Sequence, residues 1–403
     1  SAMARLLSVV VLGFAALVSA ELGWKNVSPE KAPGAPRNRY AHASAVHGNS
    51  ILITHGYFYD NQRGQMGKQT WMDDTWLYNP KSGWEQVHTT GPVPDPRYGH
   101  TFERIGDQFY LFGGDDGTVK ESPNNFIPNP HEDLWRLSLS TKTWEEIPKS
   151  GKWPKARASH AAWVHDGKMY IFGGYQGHSD LWKFDPETNE WQEIVPKGDH
   201  PGVRFSIEAV VPEGADTAYI FGGYRQGNAN MQDLWGFHIP TSKWTMIRAD
   251  GIVEGHVPRK RGAYALAPHG SMFYMFAGAE CQPVCTCYND VWIFDPESAL
   301  WEEIDVGRRK PPTRYKHSMN VLPDGTALIF GGEGYRFVSD YHNDVWQLGP
   351  VDALAGWRLF GLFALALVVA IYVAVKMFSA KSAKKGGYSQ LMSDGLQGDS
   401  KLN

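Results

Sequence analysis

The sequence contains little cysteine, little net charge and no long helical pattern in its body. Only three cysteines occur among 403 residues, all of them between positions 281 and 287. The formal net charge is −4 at pH 7. The chain therefore lacks the basic character of nucleic-acid-binding proteins, and we predict no nucleic-acid partner. Glycine (43 residues), proline (25) and aromatic residues (13%) are plentiful, which is typical of an all-β protein with many turns.

One stretch, residues 157–194, shows the organisation of the chain most clearly. Its large apolar residues alternate and are interrupted by Gly, Pro, Asn and Asp, a pattern that predicts short antiparallel strands. We expect these strands at His160–Val164, Lys168–Phe172, Asp180–Phe184 and Glu190–Ile194. A single four-stranded sheet cannot bury both of its faces, so it needs similar sheets beside it.

Three short patterns recur and divide the chain into six units. A glycine-containing triplet ends the second strand of each unit, for example Phe-Gly-Gly at 172–174, and Asp-x-Trp begins the third, for example at 180–182. An arginine opens every unit: Arg39, Arg97, Arg157, Arg204, Arg261 and Arg314. This pattern resembles the Kelch repeat, in which a glycine pair follows the second strand and spaced aromatic residues come later. The resemblance implies an all-β, six-bladed Kelch β-propeller over residues 22–350.

The ends of the repeat region predict how the ring closes. The sixth unit contains Arg314, the glycine pair and Trp346 but no fourth strand. Residues 23–27 copy the pattern of residues 83–87, which belong to the fourth strand of the first unit. We therefore expect the N-terminal segment to supply the outermost strand of blade six, which would leave few open sheet edges.

The connections between strands predict a recognition face. In a four-stranded meander, the second-to-third and fourth-to-first connections lie on the same side of the propeller, and this chain has its insertions there. Long loops on one side of a rigid scaffold commonly carry recognition. Four tyrosines in these connections are candidate ligand-binding residues because their rings can stack on sugars or hold a peptide: Tyr57, Tyr175, Tyr224 and Tyr335. The alternative is that several of them pack blades together.

The six arginines should lie near the channel mouth on the same face. Histidine follows three positions later in four units, as His42, His100, His160 and His317. These polar groups could form structural hydrogen bonds where blades meet. Alternatively, the arginines could line a cationic funnel for a carboxylate-bearing sugar, a sulfated glycan or an acidic peptide.

Catalysis has less support. Copper oxidases of the Kelch type need a tyrosine–cysteine cofactor with histidine ligands, whereas the cysteines of this chain share one loop. The Glu-x-x-x-Asp-x-x-x-His iron site of plant specifier proteins is absent from the sequence. Bacterial sialate mutarotases are Kelch propellers with an arginine-lined site, which keeps a sugar-modifying enzyme as an alternative. We predict no cofactor and name no catalytic residue.

The cysteines and one sequon predict covalent features of a secreted protein. With three cysteines, a single disulfide leaves one over, and both Cys281–Cys285 and Cys281–Cys287 are plausible pairs. Oxidation should compete with a thiolate metal site in a secretory compartment, so we predict no metal. Asn26 lies in the sequon Asn-Val-Ser and is a candidate glycosylation site.

Both ends of the chain predict membrane targeting. Residues 1–20 have the apolar run and small-residue end of a secretory signal peptide, and Ser1-Ala2 before Met3 is consistent with a cloning remnant. Residues 357–378 predict one transmembrane helix, with lysines on its cytoplasmic side. Residues 379–403 should form a disordered cytoplasmic tail. In that tail, Tyr388 and Leu391 fit a sorting motif that clathrin adaptors bind.

These features together predict a type I membrane glycoprotein of the secretory and endosomal system or the cell surface. Its propeller should be a receptor, cargo-binding or adhesion module that binds a protein or an anionic glycan on the lumenal side. A mutarotase- or epimerase-like enzyme and a structural subunit of a membrane assembly are the alternatives.

Overall fold

The computed structural model describes residues 22–28, 32, 34–60, 68–117, 129–225, 229–249, 257–281, 285–335 and 339–350. Within these residues the regular elements are β-strands, and none of the described residues forms an apolar helix long enough to cross a membrane. The predicted signal peptide (1–20), transmembrane helix (357–378) and tail (379–403), including Tyr388 and Leu391, lie outside the described residues.

Residues Leu22–Gly349 form one compact unit that contains six four-stranded sheets. We list the strands of each sheet from the inside outward. The first sheet contains β2–β5 (Ala43–His47, Ser50–Asp60, Lys68–Asn79, Gly83–Gln86), and the second contains β6–β9 (Thr101–Ile105, Gln108–Phe112, Leu134–Ser138, Thr143–Glu146). The third contains β10–β13 (Ala161–His165, Lys168–Phe172, Leu181–Asp185, Glu190–Ile194). In the third sheet, two predicted strands coincide with the observed ones. The other two lie one residue further along. In the third strand, the residue left outside is Asp180, whose side chain accepts from Arg157.

The remaining three sheets complete the propeller. The fourth sheet contains β14–β17 (Ala209–Val210, Thr217–Tyr224, Asn230–His238, Lys243–Arg248). The fifth contains β18, β19, β22 and β23 (Ala265–His269, Met272–Phe276, Val291–Asp295, Leu300–Glu303). The sixth contains β24, β25, β28 and β1 (Ser318–Val321, Ala327–Phe330, Val345–Pro350, Leu22–Ser28). Their innermost strands contact one another in a closed ring, from β2 through β6, β10, β14, β18 and β24 back to β2. The predicted six-bladed propeller is confirmed.

The N-terminal strand closes the ring as the repeat pattern predicts. Strand β1 pairs with β28 as the outermost strand of blade six. Its Trp24 is buried, and the Trp24 ring centroid lies 5.0 Å from that of Phe276 in blade five. The two ends of the repeat region are thereby joined by both backbone pairing and core packing.

The recurring Phe and Trp positions form the cores between blades. The Trp of a fourth strand packs against the Phe that ends the second strand of the preceding blade. Examples are Trp191 on Phe112, with ring centroids 5.1 Å apart, and Trp244 on Phe172, at 5.0 Å. Burial of these large rings is a major source of stability in such a fold.

Backbone hydrogen bonds join each blade to the next beside the arginines. The amide of the last glycine in each triplet donates to the carbonyl oxygen of the next blade's arginine, over 2.9–3.0 Å in all six cases. The bond from Gly332 to Arg39 joins blade six to blade one. A Cβ atom at Gly173 would lie 2.7 Å from the Arg204 carbonyl oxygen, so the close approach of neighbouring blades requires glycine there.

The insertions extend the blades as hairpins on one face. In blade one, β3 and β4 continue past the sheet, where Gly56 pairs with Met72 and Asp60 with Lys68. Blades five and six carry separate short hairpins, β20–β21 (Ala279–Cys281, Cys285–Cys287) and β26–β27 (Glu333–Tyr335, Ser339–Tyr341). We call this side of the propeller the long-loop face.

Candidate functional site

Every arginine that opens a blade is fully buried and engaged by the protein. In blade three, Arg157 donates from Nη1 and Nη2 to the two carboxylate oxygens of Asp180, over 2.9 and 2.7 Å, and from Nη1 to the carbonyl of Gly173. The indole of Trp182 donates to the same carboxylate over 2.6 Å. The same arrangement occurs in all blades: Arg39–Asp74–Trp76, Arg97–Asp133–Trp135, Arg157–Asp180–Trp182, Arg204–Asp233–Trp235, Arg261–Asp290–Trp292 and Arg314–Asp344–Trp346.

This burial corrects the interpretation of the arginines as ligand-binding cations. Their side chains have no exposed surface, and each charge is neutralised by a bidentate carboxylate. A ligand in the channel cannot contact Arg39, Arg97, Arg157, Arg204, Arg261 or Arg314. The arginine-lined funnel is therefore not formed, and a sugar-modifying enzyme loses the cations on which that alternative was based.

The histidines also belong to the scaffold. His42 Nε2 lies 2.9 Å from Ser318 Oγ in blade six, and His160 Nε2 lies 3.0 Å from Thr101 Oγ1 in blade two. Burial, together with the charge of Arg39, lowers the pKa of His42 to about 3. The neutral imidazole links two blades and adds no positive charge to the channel.

A ring of six backbone hydrogen bonds surrounds the channel mouth. The second residue after each arginine donates its amide to the carbonyl of its counterpart in the preceding blade, over 2.6–2.9 Å, and the sixth bond closes the circle. All six residues have φ between 51° and 66°. They are Ala41, Gly99, Ser159, Ser206, Ala263 and Lys316. Five of these side chains are small or absent, and the sixth is a lysine.

Aromatic rings form an arc above this backbone ring. The residue directly after the arginine is Tyr40, Tyr98, Phe205 or Tyr315 in four blades. The ring centroids of Tyr40 and Tyr98 lie 6.4 Å apart with their planes inclined by 29°, and the Tyr315 centroid lies 6.5 Å from that of Tyr40. Phe205 continues the arc in blade four. These four side chains are only half-buried, so the arc faces the mouth.

Two of the predicted tyrosines join the arc. Tyr57 packs between Tyr40 and Tyr98, with centroid distances of 5.3 and 5.7 Å. Tyr175 packs edge-on against Phe205 at 5.1 Å and is 39% exposed. It stands above blade three, whose second-to-third connection carries no hairpin.

The other two predicted tyrosines differ from these. Tyr224 also packs edge-on against Phe205, with ring centroids 5.7 Å apart, but its hydroxyl is engaged by the protein. The hydroxyl of Tyr224 donates to the Ala279 carbonyl over 2.9 Å. Its ring covers Gly262, where a Cβ atom would lie 2.9 Å from the ring. Tyr224 therefore fastens blade four to blade five. Tyr335 ends β26, and its side chain lies outside the described part of the chain.

Lys316 is the charged group of the backbone ring. Its Nζ lies 5.2 Å from the centroid of the Tyr40 ring and 5.7 Å from that of Tyr98. Burial lowers the pKa of Lys316, while the charges of Glu333 and Asp115 act in the opposite direction. The result is a partly desolvated ammonium group at the centre of an aromatic mouth.

Below the ring, the inner strands enclose a cavity of about 440 Å³. Two carboxyl groups from blades two and four line it, those of Glu103 and Glu208. Burial raises the pKa of Glu103 to about 7, and burial with the nearby Glu103 raises the pKa of Glu208 to about 8. Burial in the channel therefore favours the neutral form of these two carboxyl groups.

The cysteine hairpin follows one of the two predicted pairings. Cys281 and Cys285 form a disulfide across the β20–β21 hairpin, and Cys287 is outside that bond. Among the described residues, no cluster of three or more His, Cys, Asp and Glu side chains could hold a metal ion. Asn26 lies in β1 and is half-buried, and its glycosylation stays a prediction.

The residues that define the mouth were not among the site residues predicted from the sequence. Alignment of the six units on their arginines would have shown aromatic residues at the next position and one lysine among small residues at the position after that. Lys316, Tyr40 and Tyr98 come from three different blades and approach one another only in the closed ring. The sequence of a single repeat unit therefore cannot predict their contact.

Two family models match the chain. The KLHDC2/KLHL20/DRC7 Kelch-repeats domain matches residues 13–214, and the Attractin/LZTR1 beta-propeller matches residues 122–346. Together they cover all six described blades.

Individual relatives match the chain at low identity. The Drosophila melanogaster leucine-zipper-like transcriptional regulator 1 homolog is 30% identical over 62% of this chain, which spans 25% of that relative. Kelch domain-containing protein 2 of Bos taurus is 24% identical over 74% of this chain and 76% of its own. A Thlaspi arvense N-(sulfonatooxy)prop-2-enimidothioate sulfolyase is 28% identical over 62% of this chain and 74% of its own. Because an enzyme stands beside other kinds of protein here, the likeness alone does not identify an activity.

Proposed function

The chain belongs to the Kelch-repeat β-propeller family, a family of protein-interaction modules, and from this premise we propose that it binds a partner protein at the mouth of its long-loop face. The observation that carries the proposal is the arc of half-buried aromatic rings around that mouth. Its members are Tyr40, Tyr57, Tyr98, Tyr175, Phe205 and Tyr315.

The arc has the chemistry of a protein-binding surface. Tyrosine is enriched at the energetically dominant positions of interfaces because a rigid ring offers a large apolar area together with a polar hydroxyl. In this mouth the rings are fixed by one another, so little side-chain entropy is lost when a partner binds. Polar hydroxyls and one ammonium group lie among the rings and can provide specificity.

The shape of the face suggests where the partner enters. Hairpins extend blade one and stand on blades five and six, whereas blade three connects β11 to β12 without strands through residues 173–180. Tyr175 lies in this low connection and is the ring of the arc with a large exposed fraction, 39%. A partner segment crossing blade three would meet Tyr175 first and then reach the mouth.

We extend the proposal to the cellular setting on sequence grounds. Residues 359–375 contain no charged residue, and lysines follow them, which supports a membrane anchor that holds the propeller on the lumenal or extracellular side. The module would then act as a receptor, cargo-binding or adhesion protein, with Tyr388 and Leu391 available to a clathrin adaptor. Protease added to sealed vesicles should remove the tail and spare the propeller, and digestion of the propeller would contradict this arrangement.

A displayed random-peptide library tests the binding function. The library is panned against the full chain, and recovered peptides are titrated against the parent and against Tyr175→Ala. We expect Tyr175→Ala to weaken binding about tenfold without lowering the melting temperature. Met272→Ala is the matched control, because Met272 is also exposed, at 36%, but follows the turn on the opposite face.

The results distinguish the partner classes. Equal binding of the peptides to Tyr175→Ala and to Met272→Ala would contradict the proposed site. Failure of all peptides, combined with glycan-array binding that Tyr175→Ala abolishes, would keep the site and change the partner to a glycan.

A further inference from the structure

The backbone ring at the channel mouth breaks its sixfold pattern at one residue. Five positions carry Ala, Gly or Ser, and the sixth carries Lys316. The ring needs only backbone atoms, since the amide of Lys316 donates to Ala263 and its carbonyl accepts from Ala41. Lys316 also has φ = 52°, a conformation that is unfavourable for a residue with a long side chain. Neither the ring nor its backbone geometry explains a lysine here.

The protein contacts of the Lys316 ammonium group leave its N–H donors available. It lies above the rings of Tyr40 and Tyr98. Among the described residues, its side chain makes no hydrogen bond or ion pair. An ammonium group has three N–H donors. Cation–π contacts stabilise the charge but leave those donors available. Lys316 is only half-buried, so these donors are open to solvent and can be taken over by an acceptor on a ligand.

Two carboxylates stabilise the charge of Lys316 without accepting a hydrogen bond from its ammonium group. Asp115 and Glu333 directly follow the glycine pairs of blades two and six and are 1% and 5% exposed. Asp115 accepts the amide of Gly117 over 2.7 Å, and Glu333 accepts the hydroxyl of Tyr315 over 2.5 Å. Both are too deeply buried to contact a ligand directly, so they act on Lys316 from a distance.

We propose that Lys316 binds a carboxylate of the partner, an Asp or Glu side chain on a segment that enters the mouth beside Tyr40 and Tyr98. This inference rests on the proposed function and names the chemistry that the mouth selects. A carboxylate completes the N–H donors of Lys316 with charge-assisted hydrogen bonds, which are stronger than neutral ones. The apolar edges of the surrounding rings favour apolar residues on either side of the acidic one.

The hydroxyl groups of the arc fit the same ligand. Burial raises the pKa of Tyr40 and Tyr98, so both phenols stay protonated and can donate to a carboxylate. The six arginines cannot take this role because their guanidinium groups are enclosed with aspartates.

A peptide array tests the selection. Each peptide carries Glu, Asp, Gln, Asn or Lys at its centre between apolar residues, and the full chain is compared with Lys316→Met, Lys316→Arg and the matched control Lys155→Met. Lys155 is exposed on the same face. We expect the parent and Lys155→Met to bind Glu or Asp peptides about tenfold to a hundredfold more tightly than Gln or Asn peptides. Lys316→Met should abolish this preference, and Lys316→Arg should retain part of it.

Two results would overturn the inference. One is an acidic preference that persists in Lys316→Met. The other is equal binding of acidic and amide peptides by the parent, which would mean that Lys316 donates to a neutral carbonyl group.

A second probe separates this inference from the proposed function. Sodium acetate is titrated into the full chain with isotope-labelled lysine, and the Nζ resonance that disappears in Lys316→Met is followed. A saturable shift of that resonance without peptide binding would support the carboxylate site and contradict the protein-binding role. If acetate does not shift the Lys316 Nζ resonance while peptide binding still depends on Tyr175, the proposed role of Lys316 is contradicted and the protein-binding function is not.

Discussion

The guanidinium of Arg157 and the carboxylate of Asp180 meet as a parallel bidentate pair, with N–O distances of 2.9 and 2.7 Å. Burial by itself would raise the pKa of Asp180, but the hydrogen bonds and charge of Arg157 outweigh burial and lower it. Since Trp182 also donates to Asp180, the pair joins the entrance of the innermost strand to the start of the third. Repetition of this unit in six blades explains why Arg and Asp-x-Trp recur in the sequence.

Removal of one member of this pair should destabilise the propeller. We expect Arg157→Ala to lower the free energy of unfolding by roughly 3–5 kcal/mol, because it leaves the Asp180 carboxylate without its partner. Arg157→Lys should lower it less, since a lysine keeps the charge but lacks the bidentate geometry. Chemical denaturation measures both changes.

The exposed Arg308 provides the matched control. Arg308→Ala should change the free energy of unfolding by less than about 0.5 kcal/mol. An Arg157→Ala chain as stable as Arg308→Ala, with lost peptide binding, would restore the interpretation of the arginines as ligand-binding residues.

Closure of the ring by β1 predicts a large effect from a residue at the start of the repeat region. Trp24 is 5% exposed and packs on Phe276 of the neighbouring blade. Trp24→Ala should cost roughly 3–5 kcal/mol, whereas Lys25→Ala, at the exposed adjacent position, should be nearly neutral. Equal melting temperatures for these two variants would show that β1 contributes nothing to the closed ring.

The carboxyl group of Glu208 predicts a pH-dependent stability. Burial is the main cause that raises the pKa of Glu208 in the folded chain to about 8, from its ordinary value of 4.5. A raised pKa means that the folded chain holds a proton that the unfolded chain releases above pH 4.5, so the parent loses stability as the pH rises from 4.5 to 8. Glu208→Gln cannot lose this proton.

The measurement compares the free energy of unfolding of Glu208→Gln and the parent across this pH range. The free energy of unfolding of Glu208→Gln should exceed that of the parent by an amount that grows from pH 4.5 to 8 and is constant at higher pH. In Glu208→Gln, the side-chain amide oxygen can still accept a hydrogen bond from the Leu266 amide, as the Glu208 carboxyl group does over 2.7 Å in the parent. A difference that is independent of pH would contradict the buried-carboxyl assignment.

Much of the fold was predictable because its sequence determinants repeat. Six copies of an arginine, a glycine triplet and Asp-x-Trp predict six equal blades, and Trp24 marked the closing strand even though it precedes the first arginine. The role of the arginines was not predictable, because Arg157, before the first strand, meets Asp180, before the third, only across the end of the second strand in the folded blade. The mouth was harder still, since Lys316, Tyr40 and Tyr98 belong to three blades.

Photo-crosslinking from the long-loop face tests the central claim most directly. A benzophenone amino acid replaces Tyr175 in one full-length chain and Asp107, in the β6–β7 turn on the opposite face, in another. After irradiation in cells that express the chain, the crosslinked peptides are identified by mass spectrometry. We predict that position 175 crosslinks a defined segment of one partner protein, that position 107 does not, and that Lys316→Met lowers the yield from position 175. Equal crosslinking from both positions, or from position 107 alone, would contradict a binding site at this mouth.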